Sequence, residues 1–259
     1  MLGLPTDEKS GERMKYKILF EEKPYHRYWK VYEDGTREQV PSVTKINGVE
    51  DKSKFLVPWA ARVTAEYIIN LIPDIKSGNL ILTPDDVKDL FKKAKAEAAR
   101  QRDEAAVIGT KTHKAIEDYL KTGKKPKGLA PEVQKPFNGF LTFAKEMKLG
   151  KVIETEKILY SEYGYAGRMD ILAYLGSKKF LIDVKTSANF YSDMPRQLAA
   201  YANAYEEKTG ETIEGVGIIR LDKESGLPYW KDYSEEREIS FQMFLSLLDF
   251  VKLRDGKKK

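Results

Sequence analysis

The densest group of residues able to do chemistry lies in residues 167–187, GRMDILAYLGSKKFLIDVKTS. Two strand-like runs meet at Gly176-Ser177. A two-residue loop with Gly first suits a type II′ hairpin turn. It pairs Leu175 with Lys178, a residue-number sum of 353, and so sets Asp170 opposite Asp183. A four-residue loop would instead set Asp170 opposite Lys185. In either register strand alternation projects Asp170, Asp183 and Lys185 from one face, whereas a three-residue loop would reverse that parity. Two adjacent carboxylates repel unless positive charge lies between them. Lys185 supplies one charge. A divalent cation supplies more, and oxygen ligands that leave a free coordination edge are how Mg²⁺ meets phosphate substrates. Asp183 also interrupts the apolar run Phe180, Leu181, Ile182, Val184, a costly position for an acid without a purpose. D-x-K alone describes an ordinary cross-strand ion pair equally well; Asp170 at the matching position adds the weight.

Two helical stretches carry further candidates. Gly109, His113 and Glu117 fall at i, i+4 and i+8, on one helical face. Gly109 permits close backbone approach, His113 offers an imidazole nitrogen to a metal, and Glu117 offers a ligand or holds a water. His26, the other histidine, reads as structural. Beyond Lys185, Gln197 and Tyr201 sit one helical turn apart, with polar tips able to point back at the hairpin.

The elements that must position these groups follow from periodicity. Residues 15–40 read as strands with a turn at Asp34-Gly35, and Ser42 or Thr44 can cap a short helix. From Pro58 the period becomes helical through Trp59, Val63, Tyr67 and Leu71. Thr83-Pro84-Asp85-Asp86 opens a helix to about 104, and 106–123 forms a second. Pro131 opens another, to about 148. Three strands follow (152–162, 165–175, 178–187), then a helix over 193–207, strands at 213–221 and 227–233, and a last helix over 235–254. That order predicts an α/β fold: a mixed central sheet flanked by helices, with an N-terminal β-hairpin and a helical insertion. The expected division is a disordered 1–14, a hairpin and helical region over 15–108, a core over 109–254 and a basic tail over 255–259, in one compact domain overall.

Composition narrows the chemistry. With no cysteine among 259 residues, disulfides, thiolate metal sites, iron–sulfur clusters and cysteine nucleophiles are excluded. A metal must be held by Asp, Glu, His, carbonyl oxygens or water, a donor set suited to Mg²⁺ or Mn²⁺. The net charge of +5 does not by itself point to nucleic acid. Basic clusters at Lys92, Lys93 and Lys95, at Arg100 and Arg102, at 121–127 and at 257–259 are solvated faces unless a site elsewhere gives them phosphate to bind. No apolar run approaches the length of a membrane span and the N-terminus lacks a secretory apolar segment, so no membrane partner and a cytoplasmic location, in a bacterial, archaeal or phage-infected cell, are expected. No G-x-x-x-x-G-K-[ST] loop is present, so no ATP is expected.

In order, G-x-x-x-H (109 to 113), G-x-x-D (167 to 170), D-x-K (183 to 185) and Q-x-x-x-Y (197 to 201) resemble the motif series of RecB-like nucleases of the PD-(D/E)XK superfamily. The upstream segments 40–44 and 57–61 look like stand-alone phage-type exonucleases of that group. The resemblance implies a restriction-endonuclease-like core. His113, Asp170, Asp183 and the Val184 carbonyl would bind Mg²⁺ or Mn²⁺. Lys185 would position or deprotonate the attacking water, Gln197 and Tyr201 would orient Lys185 or the phosphate, and Glu117 would be a further participant. It implies DNA as substrate, cleavage to a 5′-phosphate and 3′-hydroxyl, recombination or replication proteins as partners, and leaves oligomerisation open. A sequence- or structure-specific endonuclease, or a non-catalytic nucleic-acid-binding protein of the same fold, are the alternatives.

Overall fold

The computed structural model describes residues 16–22 and 27–256; the expectations for 1–14, His26 and the tail Lys257, Lys258 and Lys259 lie outside them. The chain forms two compact units, one of Met1–Val49 with Ala115–Lys259 and the other of Glu50–Lys114.

The sheet-bearing unit begins with an antiparallel three-stranded sheet, β1 (Tyr16–Glu21), β2 (Arg27–Tyr32) and β3 (Arg37–Val40). The β2–β3 turn forms at Asp34, whose carboxylate accepts from the Thr36 backbone N–H, with Gly35 at φ +85°. Ser42 then caps α1 (Val43–Asn47) by accepting from the Lys45 N–H.

The helical unit holds α2 (Ser53–Ile69), α3 (Ile72–Lys76) and the start of α4 (Pro84–Thr122). Thr83 and Asp86 cap α4 reciprocally: Asp86 N–H donates to the Thr83 hydroxyl, and Thr83 N–H donates to the Asp86 carboxylate. The two helices expected over 83–104 and 106–123 are one helix of 39 residues. The reason is compositional: the stretch between them is rich in Ala, contains no proline, and Gly109 alone weakens a long helix without breaking it. The stretch Ser53–Lys76 is also apolar and long enough, by composition, to cross a membrane, which the sequence reading did not anticipate. It carries an Arg62–Glu66 ion pair and its helices break at Asn70 and Leu71.

Within the sheet-bearing unit α5 (Pro131–Glu146) precedes a five-stranded sheet ordered β4 (Leu149–Ser161), β5 (Tyr165–Leu175), β6 (Lys178–Lys185), β7 (Gly215–Leu221) and β8 (Pro228–Asp232). The β6–β7 pair is parallel and the others antiparallel. The parallel step is the one that α6 (Met194–Thr209) crosses; α7 (Arg237–Gly256) closes the chain. The α/β architecture, a mixed sheet with helices and an N-terminal strand sheet, is the one expected.

Each sheet face buries its own core. On one, Leu172, Leu181, Val216 and Ile218 pack with Leu198 and Ala202 of α6 and Phe244 and Leu248 of α7. On the other, Ile171, Ile182 and Ile219 pack with Phe137 and Phe140 of α5 and with Ala115 and Ile116 at the end of α4. Strands buried on both faces read as continuous apolar runs, which is why an acid within β6 stands out.

The α5 contact with the sheet depends on one missing side chain. A Cβ at Gly139 would lie 2.4 Å from the Gly226 carbonyl oxygen, and backbone cannot swing aside as a side chain can. Gly139→Ala is expected to cost about 1–3 kcal/mol, read as a lower urea midpoint with an unchanged slope.

Candidate active site

β5 and β6 are paired from Leu175↔Lys178 to Ile171↔Ile182, the 353 register of a two-residue loop, with Gly176 at φ +59° as the turn requires. The next residues along are Asp170 and Asp183. Regular pairing stops there. The Asp170 carboxylate accepts from the Val184 N–H at 2.8 Å, so a side chain takes over a backbone donor and Asp170 lies in the opening between the strands.

Asp183 has no exposure to solvent. Lys185 Nζ stands 2.7 Å from one of its oxygens, and Gln197 Nε2 donates to the other at 2.8 Å. The Gln197 amide lies within 3.3 Å of the Tyr201 hydroxyl, and its oxygen accepts from Lys185 at 3.4 Å. Asp183, Lys185, Gln197 and Tyr201 thus form one hydrogen-bonded group between β6 and α6. Burial disfavours the Lys185 ammonium, but the charges of Asp183 and Asp170 outweigh it and hold its pKa above the ordinary lysine value. Burial, reinforced by the same two carboxylates, pushes the Tyr201 phenol well above its ordinary value. Lysine is therefore a cation and tyrosine a neutral donor at neutral pH.

Gly167 of G-x-x-D has a packing reason. A Cβ there would lie 2.4 Å from Tyr201 Cε1, so the tyrosine ring occupies the space a side chain would need. The first residue of one motif makes room for the last residue of another.

The third strand contributes a residue that the sequence reading missed. Thr155↔Ile171 and Lys157↔Met169 flank Glu156 and Asp170 across β4 and β5. Glu156 has φ +51°, a left-handed conformation uncommon for a residue with a side chain, and Arg168 Nε pairs with its carboxylate at 2.9 Å. Glu156 and Asp170, both half-buried, each offer a carboxylate oxygen, and these atoms lie within 4.8 Å of each other. The boundary between the two units falls inside α4, after Lys114. His113, the expected imidazole ligand, falls on the helical unit's side of that boundary. The carboxylate pair holds Asp170 of the expected metal set, but Glu156 in place of Asp183, whose two oxygens face Lys185 and Gln197. Glu117 forms an ion pair with Lys121 one turn on. Val184 is buried and pairs with Ile219.

At Asp170 the strand changes its allegiance. Gly167 packs against Tyr201 and Met169 lies in the α6–α7 core. Ile171, Ala173 and Leu175 lie in the α5 core, and Leu172 returns to the first. Strict alternation would put Met169 and Ile171 on one side; the shift between them falls at Asp170, opposite the strained Glu156.

A second missed residue is Arg220, paired across β7 with Lys185. It is buried, lies 4.1 Å from the Tyr229 ring centre and 5.7 Å from that of Phe190, and donates to the Ser187 carbonyl at 3.5 Å. It ties down the segment that follows Lys185. Several cations expected to track phosphate along α4 are instead engaged on their own helix: Lys93 with Asp89, Arg100 with Glu97 and Glu104, and Arg102 with Asp103.

No family model and no curated protein matches the chain. Among solved structures it is similar to the crystal structure of SSO0001, at 13% identity over 44% of this chain and 54% of that one, with a TM-score of 0.28. It is also similar to an alkaline exonuclease (LHK-Exo) from Laribacter hongkongensis, at 14% identity over 55% of this chain and 86% of that one, with a TM-score of 0.30. The chain thus spans about half the length of the first.

The φ of Glu156 separates its backbone from its carboxylate. Glu156→Gly is expected to leave the unfolding free energy within about 1 kcal/mol of the parent, because relief of a left-handed non-glycine conformation offsets the lost Arg168 pair. The same change should weaken Mn²⁺ binding, measured by titration calorimetry. Gly167→Ala should do the reverse: it lowers stability by about 1–3 kcal/mol through displacement of Tyr201, while the Glu156 and Asp170 donors remain.

Proposed function

We propose that this chain is a divalent-metal-dependent nuclease that hydrolyses phosphodiester bonds in DNA, acting as an exonuclease in recombination, repair or phage replication. One observation carries the reading: two carboxylates, Glu156 and Asp170, converge within 4.8 Å beside a buried Asp183–Lys185 pair. The donor set fits a hard divalent cation. Two oxygens no more than 4.8 Å apart lie within about 2.4 Å of a common point, so shifts of under about 1 Å reach the roughly 2.1 Å of Mg²⁺–oxygen bonds. The absence of cysteine excludes an iron–sulfur cluster and leaves Mg²⁺ and Mn²⁺ as the ions that such ligands suit.

Glu156 and Asp170 would hold the ion, with His113, the Val184 carbonyl and Asp183 as the further ligands that the motif resemblance implies. When bound, the ion polarises the scissile phosphate and lowers the pKa of a coordinated water. Lys185 enters as a cation and places positive charge where negative charge builds on the phosphoryl oxygens. Gln197 fixes both Asp183 and Lys185 and so sets the direction of the ammonium. Tyr201 stays protonated and supplies a donor rather than a base. Glu117, already engaged by Lys121, is a peripheral participant. The products would be a 5′-phosphate and a 3′-hydroxyl. Nothing in the sequence provides an ATP-binding loop, so hydrolysis would need no nucleotide. An endonuclease would use the same groups, and the two separate on circular DNA, which only an endonuclease cuts.

The test is a time course on end-labelled linear and on circular DNA with Mg²⁺, Mn²⁺ or EDTA. Asp170→Asn and Lys185→Met are each expected to lower cleavage by about 10²–10³-fold or more with cooperative thermal unfolding retained, and EDTA to abolish it. Binding of DNA without cleavage in either metal would identify a non-catalytic binding protein. Metal-dependent turnover surviving Asp170→Asn would overturn the assignment.

A further inference from the structure

α7 buries one face and leaves a second apolar face in water. Phe241, Phe244, Leu248 and Val251 pack into the core under the sheet. Ile239, Met243, Phe250 and Leu253 are 61%, 49%, 54% and 67% exposed. With Ser246 between them they recur at steps of four, three, four and three residues. That spacing is the a/d pattern of a helix built to pack along another helix. A surface helix needs one apolar stripe to hold it to its own core; the second stripe has no such use among the described residues.

The stripe is compatible with itself. Ile239 and Leu253 stand seven residues to either side of Ser246, about 10 Å each way along the axis. A two-fold axis at Ser246 therefore lays Ile239 of one helix against Leu253 of an antiparallel copy. Ser246 is small, and its hydroxyl already donates to the Gln242 carbonyl, so close approach there strands no polar group. The ends of the helix differ in charge. Glu235, Glu236 and Glu238 outnumber Arg237 at its start, and Lys252 and Arg254 outnumber Asp255 near its far end. Antiparallel pairing brings unlike ends together and opposes the helix dipoles favourably, whereas parallel pairing sets like beside like.

We propose that α7 is a self-association surface, on which a second copy of this chain packs antiparallel through Ile239, Met243, Phe250 and Leu253 with Ser246 at the dyad. The interface is isologous. It does not depend on the nuclease reading, since none of its residues belongs to the site. One helix pair lies at the small end of specific interfaces, so association is expected to be weak and concentration-dependent.

The chain has no cysteine of its own, which makes the alignment readable. Sedimentation equilibrium of the full chain is expected to shift toward twice 29.7 kDa as concentration rises to about 100 μM. Met243→Lys and Phe250→Lys should each restore the monomer with only a small shift in melting temperature, because both side chains are about half exposed in the single chain. On air oxidation, Ile239→Cys mixed with Leu253→Cys should give a disulfide-linked dimer, while neither variant alone should do so. A chain that stays monomeric to that concentration would overturn the proposal, as would Ile239→Cys cross-linking to itself as readily as to Leu253→Cys.

Discussion

The structure turns on a carboxylate that water cannot reach. Burying an ionised acid is costly unless a counter-charge and hydrogen bonds replace its hydration. Asp183 meets that demand with Lys185 on its own strand and Gln197 from α6. The second of these fixes more than one residue. Gln197 can reach Asp183 only if α6 lies across β6, and that placement carries Tyr201, one turn on, into contact with β5. There it fits because Gly167 has no side chain. The D-x-K, Q-x-x-x-Y and G-x-x-D patterns are thus three views of one packing arrangement. Removing one partner would leave the others as uncompensated buried charge, which is why the group behaves as a unit rather than as a list of contacts.

What could be read in advance was whatever depends on neighbours close in sequence. The hairpin register was legible because Gly176-Ser177 is an even loop and parity follows from it. The Gln197–Tyr201 pair was legible because i and i+4 share a helix face. The α4 start was legible because Thr83 and Asp86 cap locally. What was not legible depends on partners distant in sequence or on a broken period. Glu156 sits mid-strand among Glu154, Lys157 and Ile158, and nothing in that run marks the one residue whose φ is positive. Arg220 offered the same signal as Asp183, a charge at the end of an apolar strand, yet its use depends on Phe190 and Tyr229, which are remote in sequence. The pairing of α4's basic residues with acids at i+3 and i+4 was present in the sequence, and it outweighs the impression of a free cationic track that counting lysines gives.

The irregularity at Asp170 has a physical logic. A regular β5 would hand Asp170 wholly to one face of the sheet, and its neighbours would satisfy the Val184 N–H through the ladder. Instead Met169 and Ile171 enter opposite cores, the β5–β6 pairing stops one residue short, and the Asp170 carboxylate occupies the gap as an acceptor. One of its oxygens is committed to the backbone, so its orientation no longer depends on a rotamer preference. Across β4 the same irregularity is absorbed by Glu156, in a conformation that costs about 1 kcal/mol or more. Two large cores packed on either face over-determine the strand and can hold such strain.

That division of labour explains how a site of like charges can exist before any cation arrives. Asp183 is neutralised from within by Lys185, Glu156 is engaged by Arg168, and Asp170 is held by a backbone dipole. Each carboxylate has a hydrogen-bond or ion-pair contact of its own, and the Lys185 charge acts on Asp170 as well as Asp183, so their mutual repulsion is met locally rather than by the fold as a whole. An ion bound between Glu156 and Asp170 would add charge to a region whose ligands are already positioned, with Lys185 left to serve the substrate. The geometry therefore favours preorganisation: the cost of gathering the acids is met by folding, through Gly167, Gln197 and the broken alternation of β5, and not by the ion.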